Sequence, residues 1–215
     1  MILVIDTSGP VCAAGVYDAG SNALIASISE TLGKGHAERL IPMIDEVLTQ
    51  AGMTLREMTR IAVTVGPGSF TGIRVGVAAA RGFALSLGIP AVGVTTLQVV
   101  AEQVLEIGPP APVVAAIDAR RDEIFAQVFA PDGEVLTEPE AYGYDDVRAI
   151  VSRFDGILTG SGASALDNVP HDVDVYPLDR IGRIGARLPD DIKASPVYIR
   201  GAGAKPQTGF AIKHV

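Results

Sequence analysis

The stretch Ile61-Ala-Val-Thr-Val-Gly-Pro-Gly-Ser-Phe-Thr-Gly-Ile-Arg-Val-Gly-Val-Ala-Ala-Ala-Arg-Gly-Phe-Ala-Leu-Ser-Leu-Gly88 decides how this chain folds. Its short β-branched start predicts a buried strand over Ile61–Val65. A Gly-Pro-Gly turn follows, and Ser69 is placed to cap a helix whose first N–H groups have no intrahelical acceptors. The spacing predicts that helix over Phe70–Leu87, because Gly88 is a typical helix terminator.

Small residues recur every four positions in this helix, at Gly72, Gly76 and Ala80. Glycine inside a helix costs about 0.5–1 kcal/mol relative to alanine, so the pattern needs a physical reason. A face without side chains lets another backbone approach closely. Two interpretations stay open: the face packs against the chain's own sheet, or it forms a seam with a helix of a second protein chain.

The glycine loop could also hold an anion, since it precedes a helix N-terminus. However, no lysine follows the glycines as the Walker pattern requires, and Thr71 replaces the third glycine of the dinucleotide fingerprint. Pro67 stands where a serine-nucleophile elbow requires a glycine before Ser69. The loop alone therefore identifies no ligand.

Composition and charge narrow the class of protein. A chain of 215 residues can hold one large domain or two small ones. Its apolar runs are too short to span a bilayer, and its start lacks the basic residues of a signal peptide, so we expect a cytoplasmic protein with no membrane contact. The single cysteine, Cys12, is expected to be a packed side chain. A formal charge of −8 argues against autonomous nucleic-acid binding, which requires Lys and Arg to neutralise phosphates.

Hydrophobic periodicity gives an order of elements along the chain. The first unit reads βββαβαβα and ends at a linker, Gly108–Pro112, after which a ββ(β) opening recurs and suggests a duplicated half-domain. Predicted strands are Met1–Ser8, Ala13–Tyr17, Asn22–Thr31, Ile61–Val65, Ala91–Val94, Val113–Asp118, Glu123–Phe129, Glu134–Thr137, Gly156–Gly160 and Ser195–Arg200. Predicted helices are Ala37–Ala51, Phe70–Leu87, one from Thr95 or Thr96 to Ile107, Asp145–Phe154, Ala163–Asn168 and Arg180–Leu188.

The sequence offers few polar residues as candidates for a ligand-binding or metal site. Asp6-Thr7-Ser8 ends the first strand, where actin-like and sugar-kinase-like folds place an aspartate facing a nucleotide phosphate. The alternative is that these side chains satisfy turn N–H groups. No metal site is visible, because Leu40 stands where a second histidine would pair with His36. Arg120 and Arg121 form either a solvated hairpin tip or a charged contact to a partner or a phosphate.

Several stretches together resemble the TsaB (YeaZ) family, most strongly over residues 1–125. They are Ile5-Asp-Thr-Ser8, Gly35-His-Ala-Glu-Arg-Leu-Ile-Pro-Met-Ile44, Gly66-Pro-Gly-Ser-Phe-Thr-Gly-Ile-Arg-Val-Gly76, Asp118-Ala-Arg-Arg121 and Pro196-Val-Tyr-Ile-Arg200. The resemblance implies two actin-like (ribonuclease H-like, ASKHA) half-domains. With the boundary at the linker, they are expected at 1–108 and, smaller, at 113–207, and a loose tail is expected at 208–215.

The resemblance also implies a function: a part in making N6-threonylcarbamoyladenosine in tRNA, next to the anticodon. In that family TsaB is a non-catalytic subunit without a cofactor of its own. It pairs with TsaD, which holds the metal and the threonylcarbamoyl-adenylate, and with the ATPase TsaE. The chain is then expected to contact tRNA only indirectly, through the complex.

Pairing in the family runs through the first two helices, so the resemblance implies a partner interface on both. Its expected residues are Leu40, Met43, Ile44, Gly72, Arg74, Val75, Gly76, Ala79 and Ala80. A homodimer through the same surface is expected when the partner is absent. This assignment predicts that Gly76→Leu abolishes pairing and leaves the fold intact.

Two rival functions stay open at this point. One is a nucleotide-dependent kinase or phosphatase of the actin-like fold that uses Asp6 and Thr7. The other is a glycopeptidase-like hydrolase, although the sequence offers neither zinc ligands nor a nucleophile with a base beside it.

Overall fold

Two β-sheets organise the chain in a computed structural model, which describes residues 1–169 and 174–199. The strands are β1 Ile2–Asp6, β2 Val11–Asp18, β3 Ala23–Thr31, β4 Arg60–Gly66, β5 Ala91–Thr95, β6 Val113–Arg120, β7 Glu123–Phe129, β8 Glu140–Gly143 and β9 Ile157–Thr159. The helices are α1 His36–Ala51, α2 Phe70–Leu87, α3 Thr96–Leu105, α4 Tyr144–Phe154, α5 Ser161–Leu166 and α6 Leu178–Arg187, with a short 3-10 helix at Leu55–Glu57.

Both sheets begin with the same topology. The first has the order β3-β2-β1-β4-β5, in which β1, β2 and β3 are antiparallel and β4 and β5 run parallel to β1. The second has the order β8-β7-β6-β9, with an antiparallel β6–β7–β8 meander and β9 parallel to β6. This repeat confirms the predicted α/β class with two actin-like half-domains, of which the second has the smaller sheet.

The first sheet is buried on both faces. Alternation along β1 sends Leu3 and Ile5 to one face and Ile2 and Val4 to the other, and all four are buried. The Leu3 face packs against α1 and α2, and the Ile2 face packs against α3 and α6. The short polar turn after β1 therefore lies between two packed layers.

The last described helix corrects the predicted division into half-domains. Helix α6 contacts β1 to β5 of the first sheet, although it falls within the expected second half-domain 113–207. The chain after it also follows the first sheet, because the Ala194 amide donates to the Ala91 carbonyl and the Val197 amide donates to the Val65 carbonyl. The predicted linker does separate α3 from β6, but the chain returns to cover the sheet on which it began.

The central helix agrees with its prediction at both ends. It spans Phe70–Leu87, the Ser69 hydroxyl accepts the Gly72 amide, and Gly88 closes it in the left-handed conformation. By length and composition, α2 is also the one helix within residues 1–169 and 174–199 that could cross a membrane. A helix that packs against a sheet passes the same test, and α2 has such a packed face.

Two predicted strands are wrong. No strand covers Glu134–Thr137, because the Thr137 hydroxyl takes the Val128 amide that a backbone carbonyl would accept in a ladder. The third strand of the meander is β8 instead. Residues 195–199 hold no strand, since Pro196 lacks an amide, and the remainder of that prediction, together with the expected tail 208–215, lies outside the described residues.

Candidate functional site

A cleft of about 570 Å³ lies between the two sheets, at the carboxyl ends of β1 and β6. Ligands of open α/β sheets bind at this edge, and the volume falls in the range of small-molecule sites. The described residues that line the cleft come from both halves. They are Ser8, Gly9, Pro10, Gly33, Gly68, Ser69, Ile117, Asp118, Ala119, Arg120, Phe125, Ser161, Asp174 and Tyr176.

Asp6, the candidate phosphate-facing residue, does not line this cleft. Its side chain is 2% exposed, and its Oδ1 accepts the Ser8 amide at 2.9 Å, the Ser8 hydroxyl at 2.6 Å and the Thr64 hydroxyl at 2.6 Å. Burial raises the pKa of Asp6, and these hydrogen bonds oppose the rise. The carboxyl group therefore holds the turn after β1, as one of the two interpretations of the sequence predicted.

Thr7 and Ser8 tie the same turn to the start of α2. The Thr7 hydroxyl donates to the Gly72 carbonyl at 2.7 Å, and the Ser69 amide donates to the Ser8 carbonyl at 2.7 Å. A Cβ atom built on Gly68 would lie 2.3 Å from that Ser8 carbonyl oxygen. The Ser8 carbonyl thus takes one amide at the helix start, where an anion would bind in a phosphate loop, and Gly68 and Ser69 still line the cleft.

The second half places more polar groups on the cleft. The Arg120 amide donates to Asp118, whose own amide donates to the Ser161 hydroxyl at 2.9 Å. Ser161 in turn donates to Asp174. The described lining contains carboxylates, hydroxyls and one arginine but no histidine, lysine or cysteine, so any general base there would be a carboxylate.

The remaining titratable candidates are structural in the described part of the chain. Burial raises the pKa of the Cys12 thiol to about 11, which agrees with a packed side chain. His36 is 8% exposed and contacts the Val11 carbonyl at 3.3 Å. Residues 1–169 and 174–199 contain no group of three His, Cys, Asp or Glu side chains able to hold a metal ion.

The small-residue stripe of α2 faces inward, against the chain's own sheet. We call Gly72, Gly76, Ala80 and Ala84, all buried, the inner stripe. A Cβ on Gly72 would lie 2.0 Å from the Thr7 carbonyl oxygen, and one on Gly76 would lie 2.4 Å from the Thr7 hydroxyl. The packing interpretation accounts for Gly72 and Gly76, and Gly76→Leu is no longer expected to leave the fold intact.

Burial also removes other residues from the expected partner interface. Leu40, Met43 and Ile44 are at most 3% exposed and pack under α1. With Gly72, Gly76 and Ala80 they are six of the nine expected positions, and none is available to a second chain in this structure. Arg74 is exposed and Val75 and Ala79 are half-buried, so these three remain accessible.

Sequence reasoning missed a second stripe on α2. Phe70, Arg74, Ala78, Arg81 and Leu85 are all exposed, and we call them the outer stripe. Their spacing of four or three residues was the available signal, because it places them on one helical face. At 100° per residue, Arg74 points away from Gly72 and Gly76. Leu85 is 86% exposed, which is unusual for a large apolar side chain on a core helix.

The fold and the cleft define a class: an actin-like protein of two half-domains with a cleft between them. Residues 27–162 match the family model described as "TsaD: tRNA N6-adenosine threonylcarbamoyltransferase". The chain is 38% identical to the tRNA threonylcarbamoyladenosine biosynthesis protein TsaB of Haemophilus influenzae, over 59% of this chain and 53% of that protein. It is 36% identical to TsaB of Escherichia coli, over 61% of this chain and 55% of that protein.

A solved structure, YeaZ from Pseudomonas aeruginosa, superposes with a TM-score of 0.74 at 27% identity. That match covers 92% of this chain and 98% of the other. The chain belongs to the family that the TsaD model describes and, within it, to the TsaB/YeaZ group. It spans about half the length of the curated relatives it matches.

Proposed function

We propose that this chain is a non-catalytic subunit of the complex that makes N6-threonylcarbamoyladenosine in tRNA. In this proposal TsaD carries the reaction centre with its metal, TsaE is the ATPase, and the present chain supplies a surface that assembles or activates them. The names of its relatives support the pathway.

The observation that supports the non-catalytic role is that Asp6 and the Ser69 amide are both hydrogen-bonded within the chain. Asp6 is buried under three donors, and the Ser8 carbonyl takes the Ser69 amide at the start of α2. A nucleotide-dependent enzyme needs both groups free for phosphate and its metal. Both would have to leave satisfied hydrogen bonds before they could serve a nucleotide.

Charge supports an indirect contact with tRNA. The formal charge of −8 comes from 25 acidic against 17 basic residues, so the phosphate backbone gains little from this chain alone. We propose that other subunits supply the basic surface. Since tRNA is modified where it is used, the same proposal assigns the chain to the cytoplasm.

The outward surface of α1 and α2 is the proposed site of pairing. It combines exposed apolar residues with arginine, as protein interfaces do. Arg74, Val75 and Ala79 of the original expectation belong to it, together with Leu85 and with Ile41 of α1, which is 50% exposed. The same surface is expected to form a homodimer when TsaD is absent.

Reconstitution tests the proposal. The purified chain is mixed with TsaD and TsaE of its own organism, tRNA, ATP and threonylcarbamoyl-adenylate, and modified adenosine is measured. We expect product to require the chain and to survive Asp6→Asn and Asp118→Asn, which keep side-chain size and remove a carboxylate. If either variant folds and pairs but gives no product, the chain's own cleft takes part in the reaction.

A control addresses the rival kinase or phosphatase. The isolated chain is incubated with ATP and Mg²⁺, and released phosphate is followed over time. We expect no turnover above a buffer blank. If the wild type releases phosphate and Asp118→Asn does not, the chain is an enzyme and the scaffold proposal is wrong.

A further inference from the structure

Three side chains form an exposed cluster where α2 begins. The Arg74 guanidinium carbon lies 3.7 Å from the centre of the Phe70 ring and 5.7 Å from that of Tyr198. The two rings are 5.3 Å apart, and the Arg74 Nε donates to the Tyr198 hydroxyl at 2.9 Å. Phe70 is 48% and Tyr198 46% exposed, so the cluster faces outward. We call these three residues the arginine clamp.

The clamp fixes an arginine without neutralising it. Stacking on Phe70 and the bond to Tyr198 hold the side chain in one conformation, which lowers the entropy lost when it binds something else. Within residues 1–169 and 174–199, its hydrogen bonding is confined to Nε, and the two terminal nitrogens stay available as donors. A planar fork of this kind matches a carboxylate or a phosphate.

Five other arginines of the described chain form ion pairs with carboxylates: Arg39, Arg60, Arg180, Arg183 and Arg187. Arg39 binds Glu30 at 2.6 Å and Glu46 at 2.7 Å, and Arg183 binds Glu106 at 2.9 Å. Arg74 and Arg81 belong to no such pair among residues 1–169 and 174–199. Helix α2 itself contains no acidic residue. A chain of net charge −8 thus keeps a positive, acid-free strip on one exposed helix face.

We propose that the arginine clamp binds a carboxylate presented by an apolar protein surface, that of the pairing subunit. This inference rests on the proposed function and deepens it, because it names the anchor of the interface and the chemistry of the partner. It also extends the interface beyond the two helices, to Tyr198 in the segment that follows α6.

A protein carboxylate fits the surroundings of the clamp better than an RNA phosphate. RNA affinity comes from several cations in series, whereas the outer stripe has only two arginines among apolar residues, and Ile41 lies exposed on α1. An arginine together with aromatic residues is typical of the residues that dominate protein binding energies. Arg81, about two turns further along, adds a second cation for an acidic partner.

Affinity measurements with the TsaD subunit of the same organism test the clamp. We expect Arg74→Ala to weaken pairing about 10- to 100-fold, as for a central arginine anchor. Arg74→Lys keeps the charge but loses the fork and the stacking, so we expect a loss of the same order. Tyr198→Phe keeps the ring and removes the hydroxyl, and we expect about a 3- to 10-fold loss.

Arg153→Ala is the matched control, since Arg153 also lies over an aromatic ring, Phe154, on another helix. We expect it to pair like the wild type. Melting temperatures of all variants should agree, because the clamp residues are exposed. Replacing acidic residues of TsaD by lysine, one at a time, should identify one variant that binds Arg74→Glu better than it binds the wild type.

The outcomes separate this inference from the proposed function. If the wild-type chain does not pair with TsaD, both fail. If it pairs and Arg74→Ala pairs equally well, the clamp is overturned and the proposed function stands. If Arg74→Ala pairs normally but the assembled complex retains less tRNA on a filter, the anion is an RNA phosphate and the inference is again overturned.

Discussion

The inner and outer stripes of α2 are built from the same helix and have opposite requirements. The inner stripe has almost no side chains, and its backbone lies against the turn Asp6-Thr7-Ser8, where a Cβ on Gly72 would fall 2.0 Å from a carbonyl oxygen. The outer stripe carries Phe70, two arginines and a leucine that is 86% exposed. The inner stripe has room only for glycine and alanine side chains, and the outer stripe exposes large side chains that make few contacts within the chain.

The contrast shows that the most conspicuous sequence pattern concerned the fold. Three glycines in one helix suggest an intermolecular seam, because bare faces often serve that purpose. Here the bare face lets the helix approach β1 and β4. The candidate partner surface is on the other side, where the residues are ordinary in type and noticeable only by their spacing.

Gly76→Leu provides the largest test of this difference. A leucine would meet the Thr7 hydroxyl and the Val63 side chain, so we expect a loss of at least about 3 kcal/mol of unfolding free energy, measured by urea denaturation. Gly82→Leu is the matched control, since nothing lies within 4 Å of a Cβ there. Equal stability of the two variants would contradict the inward packing of the stripe.

Asp6→Asn tests the turn through pH. Because burial raises the pKa of Asp6, the folded state binds its proton more tightly than the unfolded chain, whose reference value is 3.8. The wild type is therefore expected to lose stability relative to Asp6→Asn as pH rises above 3.8, at most about 1.4 kcal/mol per pH unit for one proton. The measurement is urea unfolding of both proteins from about pH 5 to about pH 8. A difference that grows in favour of the wild type would refute the assigned direction.

Thr7→Val removes one contact between the turn and the inner stripe while keeping the shape of the side chain. The Thr7 hydroxyl is fully buried and donates to the Gly72 carbonyl at 2.7 Å, so its loss should cost about 1–2 kcal/mol. Chemical denaturation gives the value, and Thr71→Val on the exposed side of α2 serves as control. No measurable loss would mean that the close approach of backbone atoms alone joins the turn to the helix.

Gly82→Ala gives the smallest expected effect and has the opposite sign. Gly82 is exposed in the interior of α2 with open space around it, so alanine should stabilise the protein by about 0.5–1 kcal/mol through helix propensity. The increase in melting temperature is the measurement. A decrease would show that Gly82 has a packing role which the outer face of the helix does not reveal.

Local patterns predicted much of the fold correctly. The ends of α2, its Ser69 cap and the two hairpin openings follow from residue type and spacing over a few positions. The errors occur where a side chain or a distant segment competes for the same groups. The Thr137 hydroxyl replaces a backbone acceptor for the Val128 amide, and α6 packs on the first sheet, whose last strand is β5 at Ala91–Thr95. Neither contact has a local signal.

For the candidate site, too, the sequence predicted some features and the tertiary structure decided others. Sequence placed Asp6, Thr7 and Ser8 at the end of a strand, and it identified Arg74 through a family resemblance. It could not decide whether Asp6 faced a cleft or a core, because this depends on how closely α2 approaches β1. It also could not anticipate the clamp, since Tyr198 is 124 residues from Arg74.

The sequence by itself determined the half-domain class, the capped central helix and the need for a close approach on one side of it, because each depends on periodicity, turn chemistry and side-chain volume. Tertiary structure alone decided which partner makes that approach. Packing places Gly72 and Gly76 against the turn after β1, buries the Asp6 carboxylate, and leaves Arg74 exposed and stacked on Phe70. The reason is geometric. A helix face of small residues can pack closely against any backbone, and the sequence does not specify which backbone lies there in the folded chain.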